Sequence, residues 1–170
     1  MSEKRSIETG TVSFSERLAN SQVFASLFRD GMALVEETAT YLDGAGRQES
    51  KKLERSAALI YATESMRLTT RLMQLASWLL LHRAVKEGEM TLGQANREKT
   101  KVKLSAADPG AADTIEKLPS QLQDLIHRSM SLQTRVRRLD TTIHTPPADH
   151  PSIGNPLVPH LNALKAAFER

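Results

Sequence analysis

From Leu118 to Ile143 apolar residues recur in steps of four and three at Leu118, Leu122, Leu125, Leu132, Val136, Leu139 and Ile143, and Ser129 takes the one remaining place in the series. A repeat averaging 3.5 residues keeps a single narrow helix face turned toward its neighbours over nearly four heptads. Ser120 with Gln123 supplies a capping box for this helix, and Pro119 is compatible with its start.

Two further stretches predict long helices. The first begins at Ser15 or Ser21, whose hydroxyls can cap exposed amides, and runs to about Leu42, where Asp43-Gly44-Ala45-Gly46 stops it. Its seam reads Phe14, Leu18, Ser21, Ala25, Phe28, Met32, Val35, Ala39, Leu42, widened by Phe24, Leu27, Leu34 and Tyr41 on an adjacent line. Gly31 in mid-helix is either a point of close backbone approach or simply tolerated.

The second runs from near Ser50 to Glu87 and ends at Gly88. It carries two apolar lines, Ala58, Tyr61, Leu68, Leu72, Leu75, Leu79 and Leu59, Ala62, Met66, Met73, Ala76, Leu80. Both are expected to face inward, making this the central helix. A third line, Ile60, Glu64, Arg67, Arg71, Gln74, Trp78, Leu81, Val85, is then the outer one.

Thr91 with Gln94 is a capping box for a short charged helix to about Thr100, and Asp113 with Glu116 can cap one more turn after the Asp108-Pro109-Gly110 turn. Five of the seven prolines fall at Pro146, Pro147, Pro151, Pro156 and Pro159, so a mobile segment is expected there. Leu157, Leu161, Leu164 and Phe168 return to helical spacing, as a terminal docking peptide would. The reading is all-α: an antiparallel three-helix bundle over 14–140 with one or two short extra helices, a disordered 1–13, and a flexible tail over 141–170.

Composition agrees with helix-on-helix packing. Aromatics are only 4% of 170 residues, so the interior must rest on Leu, Ala, Met and Val. The chain has no Cys, which removes disulfides and thiolate chemistry and fits a cytoplasmic setting. Met1–Ser13 has no apolar run, and Leu72–Leu81 is far short of the roughly 20 residues a membrane crossing needs, so neither export nor a membrane is expected.

No catalytic constellation is visible. His82, His127, His144, His150 and His160 include no pair four apart on a helix, so they read as solvated, with neither metal nor cofactor expected. The net charge of +3 is weak evidence for nucleic acid. The clusters Arg97, Lys99, Lys101, Lys103 and Arg128, Arg135, Arg137, Arg138 lack aromatics for base stacking. They read as a solvated face or a site for acidic protein surface.

Arg67 and Arg71, like charges four apart, make sense if carboxylates from another segment answer them. Trp78, the single tryptophan, either belongs with them to a partner surface or covers the end of the core. The partner-binding residues expected are thus Arg67, Arg71, Trp78, Leu157, Leu161, Leu164 and Phe168.

The segments Phe14–Gly44, Tyr61–Val85, Glu89–Leu104 and Leu118–Asp140, in that order, closely resemble the RcdA family, the alphaproteobacterial regulators of CtrA degradation. The resemblance implies a non-enzymatic adaptor for the ClpX/ClpP protease, built as a three-helix bundle that can form a homodimer. It also implies a single-domain response regulator, CpdR, a cyclic-di-GMP effector protein and transcription-factor cargo as partners, and action at the cell pole. A helical nucleic-acid-binding regulator and a structural coiled-coil subunit are the competing readings.

Overall fold

Every position of the Leu118–Ile143 seam is buried, with Leu122, Leu125, Ser129 and Val136 at 0% exposure. This seam is the spine of the computed structural model, which describes residues 21–99 and 112–144. Among them the helices are α1 (Gln22–Asp43), α2 (Ala45–Ser50), α3 (Arg55–Lys86), α4 (Leu92–Lys99), α5 (Ala112–Ile115) and α6 (Ser120–His144), with no strand. The predicted starts at Phe14 and Ser15, the Asp108-Pro109-Gly110 turn and the tail beyond residue 144 lie outside the described residues. Helix α6 continues past Asp140 to His144, four residues into the predicted tail.

The all-α bundle is as the sequence predicts, but its path differs. Arg128 of α6 pairs with Glu37 and Arg135 with Asp30, so α1 and α6 are antiparallel. Arg71 meets Ser129 and Trp78 meets Asp140, so α3 and α6 run parallel. The chain between them, containing α4 and α5, is long enough to return to the starting end, whereas a short turn would have forced an antiparallel pair.

Local chemistry sets the helix ends. Gly88 adopts φ +76°, and Gly88 N–H and Glu89 N–H close on the carbonyls of Val85 and Ala84 in a Schellman motif that ends α3. Thr91 and Gln94 form the expected reciprocal cap: Thr91 N–H donates to Gln94 Oε1 (2.9 Å) and Gln94 N–H to Thr91 Oγ1 (3.2 Å). The expected Ser120–Gln123 box is not made, because the Gln123 amide donates instead to the carbonyls of Leu118 and Glu116. The glycine stop after α1 lasts one residue, and α2 resumes at Ala45. A Cβ on Gly46 would stand 2.6 Å from the Tyr61 hydroxyl and 2.7 Å from the Tyr41 ring, so only glycine lets α2 lie against both tyrosines.

The line of α1 that faces the core is Phe24, Leu27, Gly31, Leu34, Thr38, Tyr41. The predicted seam sits at its border: Phe28, Met32, Val35 and Leu42 are half-buried, and Ala25 and Ala39 are exposed. The bulkier line gains more on burial, which decides the rotation of the helix. Gly31 is a close approach, since a Cβ there would stand 2.5 Å from Leu79 Cδ1 in the closed core.

Candidate partner surface

Helix α3 is turned by roughly a quarter of a revolution from the orientation its sequence predicts. Tyr61, Leu68, Leu72, Leu75 and Leu79 are buried as expected. Of the polar third line, expected outside, Glu64, Arg71 and Trp78 are also buried. The second apolar line is exposed: Leu59 70%, Met66 72%, Met73 66% and Leu80 52%.

The inward polar line is stabilised by bonds to α6 and within α3. Arg71, 7% exposed, donates Nη1–H to Ser129 Oγ at 2.8 Å, and Ser129 donates to the Ile126 carbonyl at 2.7 Å. Burial pulls the Arg71 guanidinium below its ordinary pKa, which the nearby Glu64 carboxylate opposes. Among the described residues the carboxylate that answers Arg67 is Glu64, 2.9 Å away on the same helix.

Trp78 is 1% exposed and is therefore core, not partner surface. Its indole N–H donates to Asp140 Oδ1 at 2.8 Å, and its ring stacks on His82 at 3.9 Å between centroids. His82 is buried and not solvated; its Nδ1–H donates to the Trp78 carbonyl at 3.0 Å, and burial holds its pKa below the ordinary value. Asp140 also accepts from Lys99 Nζ at 2.6 Å and faces His144, fastening α4 to the end of α6. Burial pushes the Asp140 carboxyl up, but the hydrogen bonds of Lys99 and Trp78 and the charges around it outweigh that and hold it below the usual range.

Two of the basic residues of α6, Arg128 and Arg135, are engaged within the bundle, while Arg137 and Arg138 are exposed. Arg128 forms a two-pronged pair with Glu37, at 2.8 and 2.7 Å, and Arg135 reaches Asp30 at 3.2 Å. Lys101, Lys103, Leu157, Leu161, Leu164 and Phe168 lie outside the described residues. Among the described residues no group of three His, Asp or Glu is placed to hold a metal, and no helix is long and apolar enough to cross a membrane.

What α3 turns outward is a heptad stripe on the side opposite its buried face. Leu59, Met66, Met73 and Leu80 recur every seven residues, with Ala62, Thr63, Thr69, Thr70, Ala76 and Ser77 between them. The stripe contains no charge over about 32 Å, at 1.5 Å per residue. Three of its four hydroxyls are satisfied within α3: Thr63 donates to Leu59 O (3.0 Å), Thr69 to Ser65 O (2.8 Å) and Ser77 to Met73 O (2.8 Å). A helix could therefore cover this strip without stranding those donors. The seven-residue recurrence was legible in the sequence, but not its orientation.

Comparison with known proteins now supplies a relation. The sequence matches the family described as "Protein of unknown function (DUF1465)" over residues 15–168. No curated protein matches it. Among solved structures, that of RcdA from Caulobacter crescentus CB15 is 51% identical, covering 78% of this chain and 99% of that chain with a TM-score of 0.64. With half the aligned residues shared and nearly all of the solved chain covered, the chain belongs to the DUF1465 family and is a homologue of RcdA.

Proposed function

We propose that the chain is a non-enzymatic adaptor of regulated proteolysis, which brings cargo such as cell-cycle transcription regulators to ClpXP. In this reading the protease is primed by the response regulator CpdR, and a cyclic-di-GMP effector protein joins the assembly for CtrA degradation at the cell pole. The observation that carries it is the 51% identity to RcdA across 99% of that chain. The uncharged, exposed apolar stripe of α3 supports a docking role, while Arg71 and Trp78 are spent on bonds inside the bundle.

The occupant proposed for the α3 stripe is a second copy of the chain. Read about the midpoint between Thr69 and Thr70, the stripe is nearly palindromic: Met66 mirrors Met73, Thr63 mirrors Ala76, Ala62 mirrors Ser77, and Leu59 mirrors Leu80. Two antiparallel α3 helices related by a two-fold axis there would match large residue to large and small to small. The ion pairs of Arg128 and Arg135 to α1 carboxylates disfavour the nucleic-acid reading. Residues 145–170 are the proposed tether, with a flexible-coil reach of about 28 Å.

Reconstituted ClpXP degradation of a transcription-factor cargo, with and without this chain and CpdR, tests the role. Acceleration only when both are present is expected. Equal rates with and without the chain would overturn it.

A further inference from the structure

We propose that Met66 and Met73 are a reversible oxidation site that switches the α3 stripe from self-pairing to non-pairing. The proposal rests on the reading of that stripe as a surface for a second copy. The two methionines sit at the centre of the stripe, 72% and 66% exposed, whereas Met32, Met90 and Met130 are half-buried. The chain has no Cys, so no thiol competes for a peroxide.

The palindrome concentrates the effect. Two-fold pairing sets Met66 of each copy against Met73 of the other, so both methionines of both copies meet around the axis. In the reaction with a peroxide, one peroxide oxygen bonds to the thioether sulfur, the O–O bond breaks, and the other oxygen leaves as water. The sulfur loses two electrons and becomes a sulfoxide, a strong hydrogen-bond acceptor. A sulfoxide buried in the pair would find few donors, because the stripe has no charged group and Thr63, Thr69 and Ser77 already donate to their own helix, which leaves one Thr70 hydroxyl per copy for two sulfoxides. In the separated chain the same oxygens face water without penalty. Reduction by methionine sulfoxide reductase, with a dithiol as electron source, removes the oxygen as water and restores the stripe.

The test uses the full chain and hydrogen peroxide, with peptide mass mapping and sedimentation. Met66 and Met73 should gain oxygen before Met32, Met90 and Met130, and more slowly as protein concentration rises into the pairing range. Self-association should then weaken at least about a hundredfold and return on treatment with the reductase. The variant carrying Met66→Leu and Met73→Leu, which keeps volume and apolarity, should pair and ignore peroxide. An untreated chain that sediments as a monomer at high concentration would overturn the pairing reading and the switch with it. Untreated pairing that persists with oxygen on both methionines, or equal loss of pairing in the double variant, would overturn the switch alone.

Discussion

Arg71 of α3 donates its guanidinium N–H to the Ser129 hydroxyl of α6 at 2.8 Å, inside a core where Ser129 is 0% and Arg71 7% exposed. Ser129 is the one residue that interrupts the apolar seam of α6, and the interruption is the receptor for a buried cation. A polar contact at one depth fixes the register of the parallel α3–α6 pair, since sliding either helix by a turn would strand the guanidinium. Ser129→Ala is expected to lower the unfolding free energy by about 1–3 kcal/mol, by leaving a buried donor unanswered. Adding Arg71→Met should recover much of that loss, because an apolar pair of similar bulk carries no desolvation penalty. Urea unfolding of wild type, the single variant and the double variant checks both outcomes, and further loss in the double variant would contradict the account.

The cluster around Trp78 makes stability depend on pH in two windows. Burial depresses the pKa of His82, whose surroundings include Asp140, Lys99 and His144. Between its folded pKa and the unfolded value near 6.5, the unfolded chain binds a proton the native one refuses, so stability falls as pH drops below about 6.5. The ceiling for one such proton is about 1.4 kcal/mol per pH unit. Asp140 acts lower, because its folded pKa is also depressed: its contribution is present above the unfolded value near 4 and is lost as pH falls through the folded one. Thermal melting should therefore weaken from pH 7 to 5. His82→Asn, whose side-chain N–H can replace Nδ1–H toward the Trp78 carbonyl, should flatten that part of the curve. A curve unchanged by the substitution would place the titration elsewhere.

How much of this was written in the sequence depends on how one-sided each helix is. The α6 seam was legible, because most of its apolar residues occupy one line and, apart from Ile126 and Met130, polar residues fill the rest. Helix α3 was not, because two of its lines are apolar and a third turns apolar from Trp78 onward, so periodicity identifies the helix without saying which side is in. That choice is made by Ser129 and Asp140, which lie 58 and 62 residues beyond Arg71 and Trp78 and whose positions depend on the long return crossover. The same non-locality hid the partners of Arg128 and Arg135, which are 91 and 105 residues away on α1. Local features such as the Thr91–Gln94 cap and the Gly88 stop were legible because their causes lie within a few residues.

The α3 stripe yields a test that separates surface from core. Met66→Lys with Met73→Lys places charges at two exposed positions, so the melt should shift by no more than about 0.5 kcal/mol per site while self-association is lost. A cysteine-free chain permits a positional check as well. Thr70→Cys, beside the proposed two-fold axis, should join two copies through a short thiol crosslinker, whereas Gln121→Cys on exposed α6 surface should not. Equal crosslinking at both positions would indicate random collision in place of a defined pair.

Deleting residues 145–170 tests the division of labour between body and tail. The described core ends at Ile143, 7% exposed, so truncation after His144 removes none of the described core residues. Melting should accordingly be unchanged, and pairing through α3 should survive, since the stripe lies wholly within α3. Delivery is different. The proposed tether would hold a terminal peptide at an effective concentration on the order of millimolar once the body is docked, so that contacts too weak to act alone contribute in the assembly. The truncated chain should still bind cargo but deliver it to ClpXP at least about tenfold more slowly. Supplying residues 153–170 as a free peptide at micromolar concentration should not rescue it, because the peptide then lacks the advantage of attachment. Rescue by the free peptide would show that the tail acts as a ligand and not as a leash, and normal delivery by the truncated chain would remove the tail from the mechanism.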